Sequence, residues 1–155
     1  SEAFVDKSKM SLFGASQGGV VASLYAAAYP DRVHKLLLIF PAFVLFDDAK
    51  ETYHELGSPD FDQLPDSLTH HNAALGKIYL IDALDIDIQA EQAKITAPTL
   101  IIHGTDDAVV PYQYAVEASQ TIPNAELVTV EGGEHRIDER FAITAAPAIQ
   151  KFLKE

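Results

Sequence analysis

The sequence predicts an α/β fold, with a parallel sheet of about four strands flanked by helices and broken by a partly helical insertion. Three observations predict it. Apolar runs at residues 33–40 and 98–103 have the composition of strands buried on both faces. Segments with helical apolar spacing alternate with these strands, which means a parallel sheet with right-handed crossovers. The chain has 155 residues, of which 48% are hydrophobic and 22% charged, enough for one domain with a sizeable core.

The elements follow in order. Residues 9–13 form a short apolar-rich run that ends at Gly14, a first strand. Val20, Val21, Leu24, Tyr25 and Ala28 then recur at helical spacing over 17–29, and Pro30 with Asp31 stops that helix. Residues 33–40 are the second strand, ended by Pro41. Residues 42–96 break the rhythm with acidic residues, Gly57, Pro59, Pro65 and two amphipathic stretches at 73–84 and 88–94. The segment is too long for a plain connection, so it reads as an inserted, partly helical lid or cap. The rhythm resumes with a third strand at 98–103, a helix at 112–121, a fourth strand at 126–130 and a terminal helix at 139–153. Pro147 either kinks that helix or starts its second half. The whole of 1–155 reads as a single, partial domain, and the chain does not open on Met, which points to residues upstream.

Charge and composition exclude several classes. Lys and Arg number 11 against 23 Asp and Glu, a formal charge of −12 that repels nucleic acid and anionic lipid. Seven of the acids (Asp47, Asp48, Glu51, Glu55, Asp60, Asp62, Asp66) cluster around one Lys50 and read mostly as a solvated face. With no cysteine, disulfides, thiolate metal sites and cysteine nucleophiles are excluded. No apolar stretch is long enough to span a bilayer and no signal peptide is visible. The lack of cysteine fits a reducing bacterial cytoplasm, as it would a bacterial secreted enzyme.

The chemistry concentrates at Gly14-Ala15-Ser16-Gln17-Gly18, between the first strand and the first helix. A residue wedged in so tight a turn is forced into a strained backbone conformation, and its neighbours must be small for strand and helix to approach. The turn presents the Ser16 Oγ above the strand end. It also aims the Gln17 backbone N–H, at the helix N-terminus, toward any oxyanion formed there. This is the nucleophile elbow of α/β-hydrolases. A glycine-rich turn with an N-capping serine would leave the same letters.

A serine hydroxyl needs a base. In this fold the chain order is serine, acid, histidine. His103-Gly104-Thr105-Asp106-Asp107 follows the third strand, and Glu131-Gly132-Gly133-Glu134-His135 the fourth. Three strand ends thus deliver Ser16, Asp107 and His135 to one sheet edge, where open α/β sheets bind ligands. His135 is the candidate general base, and Asp107 the residue that holds its tautomer. Asp106 competes for that role and reads as a turn former; Glu134 reads as solvated. His103 caps a strand and hydrogen-bonds locally. His70 and His71 lack partners at metal-ligand spacing, and His34 and His54 carry no context. No metal or cofactor is expected.

Residues 9–45 and 97–153 resemble the second half of bacterial cinnamoyl (feruloyl) esterases of the α/β-hydrolase superfamily. The similarity rests on Gly14-Ala15-Ser16-Gln17-Gly18-Gly19-Val20-Val21-Ala22-Ser23, on His103-Gly104-Thr105-Asp106-Asp107-Ala108-Val109-Val110, and on the histidine loop. The resemblance implies Ser16, Asp107 and His135 as the triad and 42–96 as the lid. It also implies Asp48 and Tyr79 as lid residues that bind the ring hydroxyl of a hydroxycinnamoyl group. Two departures stand out. Ala15 takes a place that is often His, and no His-Gly loop precedes Ser16 to give a second oxyanion donor.

In the family's strand order the first strand then becomes an open, apolar edge. Either a separate N-terminal half or a homo-oligomer covers it, or the chain is inactive alone. Two function classes remain. One is a serine ester hydrolase acting on small aromatic or acyl esters, with a serine peptidase or lipase of the same fold as variants. The other is a catalytically incomplete half-domain that works through a partner chain.

Overall fold

The computed structural model describes residues 6, 10–70 and 73–154. His71, one of the histidines weighed above, lies outside them, as does Lys9 at the expected start of the first strand. The chain divides into two compact units, one of residues up to Phe43 together with those from Gln89, the other Val44–Ile88.

The first unit carries a four-stranded, all-parallel sheet. Its strands are β1 (Ser11–Ala15), β2 (Lys35–Ile39), β5 (Thr99–Gly104) and β6 (Ala125–Val130), in the order β1-β2-β5-β6. The register pairs Ala15 with Ile39, Ile39 with Ile102, and Gly104 with Val130, so the strand ends line up along one edge. Helices α1 (Gln17–Ala28) and α5 (Gln113–Thr121) pack on this sheet. So does α6 (Glu139–Lys154), and α4 (Ile88–Gln92) belongs to this unit in all but its first residue.

The two central strands are buried at every position, as their unbroken apolar runs require. Leu37, Ile39, Leu100 and Ile102 face Phe141 and Ala145 of α6. On the opposite face Leu36, Leu38 and Ile101 are fully buried. Each such side chain contributes about 1.5–3 kcal/mol by leaving water. Lys35, the polar exception in β2, is buried with its ammonium donating to the Phe152 carbonyl and lying over the Phe152 ring. It satisfies one of the last carbonyls of α6, which no helical N–H can reach.

Helix α6 runs through Pro147 without a break, and that residue faces solvent. Its start is fixed by Asp138, whose Oδ1 accepts from the Phe141 N–H at 2.9 Å. That bond, ahead of the neighbouring arginines, holds the Asp138 carboxyl below the usual carboxylate range.

The second unit combines helices with a hairpin that the sequence does not announce. It contains α2 (Leu45–Glu55), a hairpin of β3 (Ser67–His70) and β4 (Ala73–Gly76), and α3 (Lys77–Asp85). The amphipathic stretch at 73–84 therefore divides into a strand and a helix. Leu68 and Leu75 pair across the hairpin, half-buried between exposed neighbours, which is strand rather than helix periodicity. The stretch at 88–94 divides too, since residues from Gln89 belong to the first unit. Of the seven clustered acids, all but the half-buried Asp48 are exposed. No helix among the described residues is long and apolar enough to cross a membrane.

Candidate active site

The site is built on the sheet edge where β1, β5 and β6 end. Ser16 stands between β1 and α1 with φ 52° and ψ −126°, a conformation that costs an ordinary residue about 1–3 kcal/mol. The surrounding backbone holds it there. Its N–H donates to the Ile39 carbonyl at 3.0 Å, and its carbonyl accepts from Gly19 at 2.9 Å and Ala42 at 3.0 Å.

The need for small residues is real but falls unevenly. A Cβ on Gly14 would sit 2.3 Å from the Gly18 carbonyl oxygen, and one on Gly19 would sit 2.8 Å from the Pro41 Cβ. A Cβ on Gly18 would meet nothing within 4 Å, so Gly18 takes part through its backbone and not through its lack of a side chain.

The Ser16 side chain makes no capping bond to α1, which removes the N-cap reading. Its Oγ lies 3.0 Å from His135 Nε2, and His135 Nδ1 lies 2.7 Å from Asp107 Oδ2. A carboxylate oxygen only accepts, so the His135 proton sits on Nδ1 and Nε2 accepts from the Ser16 hydroxyl. The Gln17 N–H heads α1, among the first-turn amides that have no partner within the helix.

Asp107 is buried, with its side chain shielded from water, whereas Asp106 is exposed. The Asp107 Oδ1 accepts from the Val109 and Val110 N–H groups at 2.9 and 2.8 Å. Asp107 thus shapes the turn with one oxygen and holds His135 with the other. Asp106 touches Thr105, whose Oγ1 also accepts from the Gly132 N–H at 2.8 Å. Together with the Asp106 N–H to the Gly133 carbonyl, at 2.9 Å, this bond ties the acid loop to the histidine loop. The approach leaves no room at Gly104, where a Cβ would lie 2.1 Å from the Gly133 oxygen.

Two residues at the site carry more than sequence reasoning assigned them. Phe40 has φ 34°, and its ring packs on His135 with centroids 4.4 Å apart. His103 is fully buried and touches Asp107, with 3.2 Å from Nε2 to Oδ2. Its place four residues before Asp107 is the one available sequence signal. A surface cavity of about 390 Å³ beside His135 is lined by Asp106, Ala108, Val109, Glu134 and Arg136. Glu134 is exposed and pairs with Arg136, in keeping with its solvated reading.

Asp48 and Tyr79 both lie in the Val44–Ile88 unit. Burial first, and then the Asp48 carboxylate, push the Tyr79 phenol above its ordinary pKa. Among the described residues no group of three His, Asp or Glu side chains could hold a metal ion.

The family model described as TAP-like protein matches residues 85–155. The AB hydrolase superfamily protein YisY of Bacillus subtilis is 29% identical over 157 residues, covering 80% of this chain and 59% of YisY. The putative carbamate hydrolase RutD of Stutzerimonas stutzeri is 37% identical over 70 residues, covering 44% of this chain and 26% of RutD. Among solved structures, Est1E from Butyrivibrio proteoclasticus superposes with a TM-score of 0.82 at 31% identity, over 94% of this chain and 60% of Est1E. Est1E with ferulic acid bound superposes with a TM-score of 0.80. The chain therefore spans about three fifths or less of these relatives.

Proposed function

We propose that this chain, which has the α/β-hydrolase fold and resembles the bacterial cinnamoyl (feruloyl) esterases, is a serine carboxylic ester hydrolase working through an acyl-Ser16 intermediate. The observation that carries the reading is the unbroken chain from Ser16 Oγ through His135 to Asp107, with contacts of 3.0 and 2.7 Å.

The chemistry follows from that chain. Ser16 Oγ attacks the ester carbonyl carbon while His135 Nε2 takes its proton. Asp107 Oδ2 stabilises the resulting imidazolium through Nδ1–H. The carbonyl oxygen gains a negative charge, which the Gln17 N–H receives. Collapse breaks the bond to the alkoxy oxygen, and the His135 proton goes to the leaving alcohol. Water, deprotonated by His135, then attacks the acyl carbon and releases the carboxylic acid and Ser16.

For the substrate we favour cinnamoyl, feruloyl or similar small aromatic or acyl esters. Support comes from the likeness to Est1E, which is known with ferulic acid bound. In this reading residues 42–96 are the lid, and Asp48 with Tyr79 receives the ring hydroxyl. A Tyr79 phenol held above its ordinary pKa remains a donor at neutral pH.

A fluorophosphonate probe tests the mechanism. Ser16 should label, Ser16→Ala should not, and ester turnover should fall by about 10⁶-fold in that variant. A folded chain whose Ser16 stays unlabelled would overturn the catalytic role. A panel of hydroxycinnamate esters, simple acyl esters and peptides tests the substrate class. Preference for a peptide or a long-chain lipid over every small ester would replace the esterase reading by a peptidase or lipase of the same fold.

One observation favours a second reading. Among the described residues β1 pairs on one side only, and Phe13 on it is 61% exposed. An N-terminal half or a second copy of this chain would cover that edge. An N-terminal half would also bring the second oxyanion donor, a group worth about 10²–10³ in rate. If the isolated chain labels slowly and a separately made N-terminal half restores labelling, the chain is one component of a two-part enzyme.

A further inference from the structure

His103 is a buried histidine that the mechanism above leaves without a task. It belongs to β5, is 0% exposed, and stands beside the acid rather than the nucleophile. Its Nε2 is 2.9 Å from the Val110 carbonyl oxygen and 3.2 Å from Asp107 Oδ2. Both neighbours are acceptors, so Nε2 carries the proton; it donates to the Val110 carbonyl, with Asp107 Oδ2 close beside the same N–H. Its Nδ1 is buried with no hydrogen-bond partner, as expected of a bare lone pair but costly for an N–H. Burial, and then the nearby His135, disfavour the charged imidazolium against the pull of Val110 and Asp107. The ring is thus a neutral, fixed-tautomer donor, steadied by the edge of Tyr112, whose hydroxyl is 2.6 Å from Thr129 Oγ1.

The Asp107 carboxylate then has four N–H groups around it, three of them hydrogen-bonded and the fourth, that of His103, in close approach. Val109 and Val110 donate to Oδ1, His135 donates to Oδ2, and the His103 Nε2 lies 3.2 Å from that same Oδ2. We infer that His103 is a positioning residue that shares Asp107 Oδ2 with His135 and so sets how tightly Asp107 holds the His135 proton. The inference rests on His135 being the general base.

A second donor on Oδ2 withdraws part of its negative charge from the His135 imidazolium. Without His103, the carboxylate would be left wholly to the His135 imidazolium. Its other charged surroundings are Asp106, Glu134 and Arg136 at the cavity, with the Phe40 ring and the Ser16 hydroxyl as uncharged neighbours. None of these contacts Oδ2 of Asp107 in the structure.

Imidazole nitrogen NMR tests this without needing an ester. In the unaltered chain, His103 should show a protonated Nε2 and a bare Nδ1 throughout roughly pH 5–8. A cationic His103, or one protonated on Nδ1, would overturn the inference, whatever happens to any variant. His103→Phe keeps a planar ring and loses the donor. It should raise the His135 titration midpoint by about half a unit to one unit, and His103→Gln, with an amide N–H in reach, should return most of that shift. The acid limb of Ser16 labelling against pH should move the same way. An unmoved His135 midpoint in folded His103→Phe would overturn the proposal. A shifted midpoint with no Ser16 labelling in any form would instead leave His103 in place and remove the esterase reading.

Discussion

A methyl group placed on Gly14, at the elbow, would lie 2.3 Å from a backbone oxygen, whereas one placed on Gly57, in the Val44–Ile88 unit, would meet nothing within 4 Å. Both positions call for glycine, for unrelated reasons. Gly14 is where a strand and a helix touch through their backbones. Gly57 has φ 81° and closes α2, its N–H on the His54 carbonyl and the Ser58 N–H on the Tyr53 carbonyl. That is a local C-cap, complete within six residues. The sheet-bearing unit is thus constrained at this point by backbone meeting backbone across the strand-to-helix turn, and the other unit by the conformation of one residue. Position can be lost in the first by a small steric change, and only a little stability is at stake in the second.

The largest expected effect breaks the elbow contact. Gly14→Ala pushes against the Gly18 carbonyl carbon and oxygen and the Gly19 Cα, none of which can rotate away. Urea unfolding should show a loss of about 1–3 kcal/mol, and Ser16 labelling should slow further than the folded fraction explains. Gly18→Ala is the control, within about 0.5 kcal/mol of the parent chain. An equal effect of the two substitutions would mean that the elbow tolerates a wider gap between strand and helix than its contacts indicate. Gly57→Ala comes next, at about 1 kcal/mol for the left-handed conformation, with labelling of Ser16 measured alongside. If Gly57→Ala proved costlier than Gly14→Ala, the contrast between the units would be reversed.

The same contrast explains what the sequence makes legible. The elbow, the acid loop and the histidine loop leave glycines at fixed places, because Gly14, Gly19, Gly104 and Gly133 stand where backbones meet. The two central strands are buried at each residue, and so appear as apolar runs at 36–39 and 100–102. Nothing comparable marks the Val44–Ile88 unit. Its hairpin has only Leu68 and Leu75 to signal a period of two, and α2 hides Phe46 and Ala49 among acids that face water. The link from His103 to Asp107 is marked only by their separation of four residues, a faint signal in an apolar strand. Phe40 leaves no trace at all, because nothing in a phenylalanine side chain announces a positive φ.

The smallest expected effect asks whether the Val44–Ile88 unit holds any side chains as firmly as the triad is held. Tyr79 ionises above 10.0 because burial, and then the Asp48 carboxylate, oppose its phenolate. The unfolded chain loses that proton first, so between pH 10.0 and the raised value stability falls as pH rises, and below pH 10.0 the group contributes nothing to the pH dependence. Asp48→Asn removes the second cause and leaves the first. An ultraviolet difference titration, with Tyr79→Phe subtracted to isolate one phenol among six, should show the midpoint move down part of the way. An unmoved midpoint would mean that the carboxylate and the phenol do not act as a pair. Asp48 would then be left as one more solvated acid on α2, and the proposed recognition of a ring hydroxyl would rest on Tyr79 alone.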